Sequence, residues 1–264
     1  MPADLAALLS DLDAETTALL EVVEPLPDAD WRLPTPAPGW SIADQISHLA
    51  YFDDAAVSAA IRPEEFAAIR AGLAGGGDSP DTIAARYRSL TPAELRDWFG
   101  RARAGLLAAF ASLDPSARVP WFGPPMSVAS SVTARLMETW AHGQDIADTV
   151  GALREPTGRL RHVAHIGVAA LPYSYAAHGL PVPDVPVRVE LTAPSGEIWT
   201  WGSDGARDRV TGPAIDFCLL VTRRRHRADT AMVAAGPVAD QWLSIAQSFA
   251  GPPGAGRLPG QFAR

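Results

Sequence analysis

The sequence predicts an α+β protein: a helical part spanning residues 1–180, then a smaller α/β part spanning residues 187–264. Three observations point to it. Apolar residues recur at helical spacing through residue 178, in segments broken by capping residues, proline and glycine. The run Pro181-Val182-Pro183-Asp184-Val185-Pro186 reads as a linker, because proline can neither continue a helix nor donate to a strand ladder. Beyond it the apolar period falls to two, the spacing of a half-buried strand.

Composition sets the outer limits. With 264 residues, 47% hydrophobic and 20% charged, the chain can bury a sizeable core, as one large domain or two modest ones. A formal net charge of −8 argues against nucleic-acid or anionic-membrane partners held by bulk charge. All 22 basic residues are arginine, which excludes a Schiff-base lysine. Cys218 is the sole cysteine, so the chain can form no internal disulfide, cysteine-based zinc site or iron–sulfur cluster. Met1-Pro2-Ala3-Asp4 has no basic stretch leading into an apolar run, and nowhere is there a run of about 18 apolar residues. The expectation is a cytoplasmic protein with no membrane partner, a monomer or a homodimer.

In chain order, Leu5, Leu8, Leu9, Leu12, Leu19, Leu20 and Val23 form the stripe of a helix over residues 4–24, ended by the proline-bearing segment 25–38 that holds Trp31. Ser41, with Asp44 three residues on, has the form of a capping box. It opens a second helix whose buried stripe is Ile42, Ile46, Leu49 and Val57, with His48 beside it. A short helical pattern over 62–74 leads to a flexible tip at Gly75-Gly76-Gly77. Thr91-Pro92-Ala93-Glu94 starts another helix, carrying Leu95, Trp98, Phe99, Ala102, Leu106, Leu107 and Phe110. Residues 115–125 read as a connection, Ser127 as a cap and Gly151 as the stop of the helix between them. One further helix is expected over 156–178. Strands follow at 187–191 and 197–202, with Trp199 and Trp201 on one face, then a helix from Thr211 through Leu220 and a last helix from Gln241 to Phe249. The Gly/Pro-rich tail is expected to be loose.

The chemistry is expected on the helix closed by Gly151. Glu138 and His142 stand four apart, on one face and about 6 Å apart along the axis. A carboxylate oxygen and an imidazole nitrogen so placed can share a divalent metal, or can be an ordinary solvated pair. His48 on its apolar helix reads as a core histidine, to be weighed as a third ligand only together with Glu138 and His142. His162 and His165, three apart, could form a second pair but read as polar or pocket positions. Cys218, in a hydrophobic run, reads as a small buried hydrophobe rather than a nucleophile. Arg223-Arg224-Arg225-His226-Arg227 follows a helix end, where cations suit the dipole and an arginine can recognise an anion.

The phrase Trp31…Pro34-Thr35-Pro36-Ala37-Pro38-Gly39-Trp40-Ser41-Ile42…His48-Leu49-Ala50, together with Glu138-x-x-x-His142-x-x-Asp145, resembles the DinB-like, mycothiol-dependent maleylpyruvate isomerase family. The likeness spans roughly residues 5–178, and residues 187–250 resemble the smaller α/β domain of sterol-carrier type that accompanies it. The resemblance implies an up-and-down four-helix bundle in which His48, Glu138 and His142 hold a divalent metal, most naturally zinc, with positions open for water or substrate. Two histidines and one glutamate with a vacant position is also the pattern of a catalytic rather than a structural zinc site. Asp145, one turn past His142, could orient an imidazole, cap, or pair with an arginine. The chain lacks a suitable cysteine, so the thiol would be a cosubstrate, mycothiol by resemblance, acting on a small electrophile. An arginine of the 223–227 cluster, Arg223 first among them, would hold a carboxylate of that partner if the C-terminal part folds over the bundle's open end. Water activation by the metal and non-catalytic ligand binding stay open beside thiol chemistry. A short C-terminal segment also resembles tRNA wyosine-base enzymes, whose radical chemistry needs a three-cysteine cluster that one cysteine cannot supply.

Overall fold

The computed structural model of the chain describes residues 4–74 and 79–262, so the glycine tip at 75–77 lies outside the described residues. The chain divides into two compact units, Met1–Arg154 and Glu155–Arg264. The fold is α+β as expected, and among the described residues no helix is long and apolar enough to cross a membrane.

The first unit is built on four long helices: α1 (Leu5–Val23), α2 (Ile42–Ile61), α5 (Pro92–Ala111) and α6 (Val128–Val150). Two shorter ones, α3 (Pro63–Ala74) and α4 (Pro80–Arg86), follow α2. Helix α2 packs on α5 and α6, and α1 packs on the same two, which closes a four-helix ring. The capping signals act as read: Ser41 and Asp44 cap α2 reciprocally, Thr91 and Glu94 cap α5, Ser127 accepts from the Ser130 amide, and Gly151 ends α6 in the left-handed region at φ 69°. Leu19, Ile42, Ile46, Leu49, Phe99 and Ile146 meet in the core, with Trp31 fully buried as packing. Helix α4, with its own capping box at Ser79 and Thr82, went unread in the sequence. So did a short hairpin, β1 (Arg118–Val119) with β2 (Met126–Ser127), which spans the end of the expected connection and runs into the cap of α6.

A buried ionic network runs through this ring. Asp53 of α2 accepts from Arg103 Nε of α5 at 2.8 Å and from Arg135 Nε of α6 at 2.8 Å, with all three side chains at most 4% exposed. Arg103 also donates to Thr16 of α1 and to Thr139, and Arg135 to the Leu49 carbonyl. The network ties all four helices together just beside His48 and Glu138, because Asp53 follows Leu49 by one turn and Arg135 precedes Glu138 by one.

The second unit carries a four-stranded mixed sheet in the order β4-β3-β5-β6: β3 (Val187–Thr192), β4 (Ile198–Trp201), β5 (Asp208–Pro213) and β6 (Val233–Ala235). Strand β3 pairs antiparallel with β4 and parallel with β5, in register Val189 to Trp201 and Val189 to Val210. Val189, Leu191, Trp199 and Val210 fill the buried face. The single helix expected over 156–178 is two, α7 (Leu160–Ala169) and α8 (Leu171–Ala177). Pro172 has no amide proton to continue the ladder across the joint, so the chain restarts there. Helix α7 packs on α9 (Ala214–Val221), and α8 on α10 (Pro237–Ile245), so the two compact units part before these helices rather than at the proline linker. Gly167 makes the first contact possible: a Cβ there would lie 2.7 Å from Val221. Strands β5 and β6 were not anticipated, and α9 begins three residues later than expected because Thr211–Pro213 belong to β5. The described tail, residues 251–262, has no regular structure, yet Gly251 bonds to the Tyr173 hydroxyl and the Gly260 amide to Asp229.

Candidate metal centre

His48, Glu138 and His142 come together between α2 and α6. Glu138 and His142 share one face of α6 because they are four residues apart, and the contact of α6 with α2 brings His48 opposite them. His142 Nε2 lies 3.1 Å from Glu138 Oε2, and His48 Nε2 lies 3.6 Å from the same oxygen. One ligand atom from each lies within 4.8 Å of the others. Tetrahedral ligands at zinc bond lengths sit about 3.3 Å apart, so these separations bracket what one ion needs.

The tautomer of His142 is set by a relay that sequence reading missed. Thr35 Oγ1 donates to the Trp40 carbonyl at 2.9 Å, so it accepts from Gln45 Nε2, also at 2.9 Å. This orientation turns Gln45 Oε1 onto His142 Nδ1, which donates to it. Nδ1 thereby carries a proton, which makes Nε2, toward Glu138, the ring nitrogen left for a metal ion to use. Gln45 stands three residues before His48 on α2, and that spacing was the available signal. Asp145, expected to orient an imidazole, is fully buried on α6 one turn past His142, and its carbonyl accepts from Thr149. The acceptor that His142 Nδ1 meets is Gln45. His48 Nδ1 is buried without a hydrogen-bond partner among the described residues.

The electrostatics suit a dication. Burial, then the neighbouring His142, pushes the His48 pKa down to about 4, with Glu138 opposing in part. Burial by itself would raise Glu138, but hydrogen bonds from His142 and His48 and their charges hold it well below the usual carboxylate range. Near neutral pH the donors are therefore a carboxylate and an uncharged His48, the protonation states that metal binding needs.

Aromatic rings close the cluster on two sides. Trp40 stacks on His142 with centroids 5.8 Å apart and meets His48 edge-on at 5.2 Å, while Phe52 lies 4.6 Å from His48. Trp40 is held by a hydrogen bond from its ring nitrogen to Asp81 at 2.6 Å. Cys218, in the second unit, is fully buried with its thiol pKa raised by burial, so it is no nucleophile at neutral pH. Arg223 also lies in the second unit, at a left-handed backbone position (φ 61°), with its guanidinium 3.4 Å from the Gly254 carbonyl. His165 is exposed, and His178 bonds to the Ser174 carbonyl.

The mycothiol maleylpyruvate isomerase N-terminal domain family matches residues 12–147, and the wyosine base formation family matches residues 183–235. Two curated relatives are uncharacterized proteins of Mycobacterium tuberculosis, from strains CDC 1551 / Oshkosh and ATCC 25618 / H37Rv. Each is 46% identical over 260 residues, covering 97% of this chain and 100% of the relative. Crystal structures of the mycothiol-dependent maleylpyruvate isomerase and of a point mutant of it match with a TM-score of 0.58 at 17% identity, over 88% of this chain and 93% of theirs. At that identity the likeness shows a shared fold.

Proposed function

The chain belongs to the mycothiol maleylpyruvate isomerase family, and from that premise we propose that it is a zinc-dependent enzyme that uses a low-molecular-weight thiol, mycothiol, on a small acidic electrophile. The observation that supports this most is the convergence of His48, Glu138 and His142 with the His142 proton held on Nδ1 by Gln45.

His48 Nε2, Glu138 Oε2 and His142 Nε2 would hold the ion, leaving coordination positions for exogenous groups. A bound dication there would lower the pKa of a thiol, ordinarily about 8.5, and so supply thiolate at neutral pH. The chain's own part is positional. Gln45 and Thr35 keep His142 in its ligating tautomer, and Trp40 and Phe52 shield the two imidazoles from water. The buried Asp53–Arg103–Arg135 network holds α2 and α6 at the spacing that the cluster needs. Arg223 is assigned the recognition of a substrate carboxylate, and Asp145 the support of the His142 turn from within α6. The thiolate sulfur of the cosubstrate would add to an electron-poor alkene, the new single bond would rotate, and expulsion of the thiolate would return the double bond in the opposite geometry. Nothing is consumed in that sequence, so thiol is needed only catalytically. Displacement of a leaving group by the same sulfur is the transfer variant.

Elemental mass spectrometry of the wild type and of His48→Ala, purified without chelator or nickel, tests the metal. About one zinc per chain, lost in the variant, is expected; a wild type that takes up no metal even when zinc is supplied overturns the proposal. Turnover of a cis-alkenoic acid that depends on added mycothiol tests the thiol, and saturable turnover without any thiol would mark a hydrolase. Arg223→Ala should raise the Michaelis constant for acidic substrates, and an unchanged constant removes Arg223 from the mechanism.

A further inference from the structure

Within the second unit, residues 251–262 cross the arginine turn that follows α9. Helix α9 closes with the Arg223 amide on the Leu220 carbonyl at 2.9 Å and the Arg224 amide on the Leu219 carbonyl at 2.8 Å, a pattern whose left-handed position glycine usually fills. Here Arg223 fills it at φ 61°, and it is the only non-glycine residue with positive φ among the described residues. A backbone kept in that region against its preference draws attention to the side chain it carries.

That side chain meets a backbone carbonyl rather than a carboxylate. Among the described residues its guanidinium makes one hydrogen bond, from Nη2 to the Gly254 carbonyl at 3.4 Å, which is long for such a contact. Burial lowers its pKa with no acidic group opposing. Gly256 lets the backbone lie against the guanidinium, since a Cβ there would stand 2.8 Å from Nη2. The segment is tied down on either side of this contact. The Gly251 amide donates to the Tyr173 hydroxyl at 2.8 Å, and the Gly260 amide to both Asp229 oxygens at 2.9 and 3.0 Å. The Phe262 ring lies 4.6 Å from the Arg225 guanidinium. No residue of the segment is buried. A stretch held by hydrogen bonds at a few points, with little apolar burial, opens locally at low cost. A carboxylate bonds a guanidinium at about 2.7–2.9 Å and about twice as strongly as a neutral acceptor does. An anion that reaches Arg223 therefore outcompetes the Gly254 carbonyl.

We propose that residues 251–262 form an autoinhibitory strap over Arg223: with the strap down the guanidinium is engaged by the Gly254 carbonyl, and a carboxylate that takes its place lifts the strap. This rests on the reading of Arg223 as the residue that recognises the acid, and adds that the chain itself competes for that residue. Strap and anion are then linked reciprocally. Loosening the strap tightens the anion, and the anion raises the strap-up population.

The test uses the full-length chain stripped of metal with a chelator, so that no ion competes for the probe, which is succinate, an unreactive dicarboxylate. Trypsin cleavage between Arg257 and Leu258, followed by mass spectrometry as the fragment that begins at Leu258, reads strap opening. Calorimetry reads succinate affinity. Tyr173→Phe combined with Asp229→Ala removes an anchor on each side of Arg223; neither residue is buried, so the double variant should fold, and unchanged circular dichroism checks that it does. It should be cleaved about tenfold faster than the wild type and bind succinate about fivefold tighter. Saturating succinate should speed cleavage of the wild type by about fivefold and leave cleavage of Arg223→Gln unchanged. A double variant that is cleaved faster but binds no tighter overturns the strap. So does succinate that is weakened by Arg223→Gln yet leaves wild-type cleavage unchanged or slows it; recognition by Arg223 survives that result. Succinate affinity equal in wild type and Arg223→Gln instead removes the acid from Arg223, and the strap falls with that reading.

Discussion

Replacing Gln45 with leucine removes the acceptor that fixes the His142 proton while keeping a side chain of similar volume at a fully buried position. Thr35 loses a donor but still donates to the Trp40 carbonyl, so the variant orphans one group, the His142 Nδ1–H. A buried unsatisfied donor costs about 1–3 kcal/mol. In a metal-bound chain that cost would be unavoidable, because Nε2 would be the ligand and Nδ1 would have to carry the proton. In the metal-free chain the proton can move to Nε2 and be donated to Glu138 at 3.1 Å, so the cost largely disappears. The difference falls on metal binding: zinc affinity should drop by about 5- to 100-fold. Competition against a chromophoric chelator at fixed pH reads it directly, and urea melts of the metal-free proteins should differ by under about 1 kcal/mol. Gln45→Glu keeps an acceptor and should recover most of the affinity. If Gln45→Leu binds zinc within about twofold of the wild type, the relay does not set the tautomer.

Three further outcomes follow from the packing and the charges. His48 titrates at about 4 in the metal-free fold against 6.5 ordinarily. The unfolded chain therefore takes up a proton first as pH falls, and stability that is full above about pH 6.5 should decline toward pH 4 by on the order of 3 kcal/mol. His48→Gln should flatten that part of a urea-melt pH series; Glu138, with its own depressed pKa, acts in the same direction at lower pH. Asp53→Ala strands Arg103 and Arg135, which are 2% and 3% exposed, and should cost about 3–5 kcal/mol by chemical denaturation; a loss under about 1 kcal/mol would mean water reaches the network. Gly167→Ala drives a Cβ to 2.7 Å from Val221 and 3.0 Å from Phe217, and should lower the stability of the second unit by about 1–3 kcal/mol in thermal melts.

The features legible in the chain are those that near neighbours along it decide. Capping at Ser41, Thr91 and Ser127, the left-handed stop at Gly151 and the apolar stripes of the four long helices all depend on contacts three or four residues away. The Glu138–His142 spacing was legible for the same reason, and the family likeness supplied His48 as the residue that meets them. Strand β5 was not legible: Asp208–Pro213 ends in Gly212-Pro213, which reads as a helix start, and it becomes a strand by pairing in parallel with β3. The parting of α7 and α8 from the helical bundle was hidden likewise, since their apolar faces state only that something must cover them, and α9 and α10 do so. At the site, the acceptor that meets His142 Nδ1 and the clamp of Arg88 on Asp44 from 44 residues away come from the packing of the helices. Hydrogen bonds between side chains on different helices depend on where those helices cross. That crossing is set by the summed packing of the whole core rather than by any local run of residues.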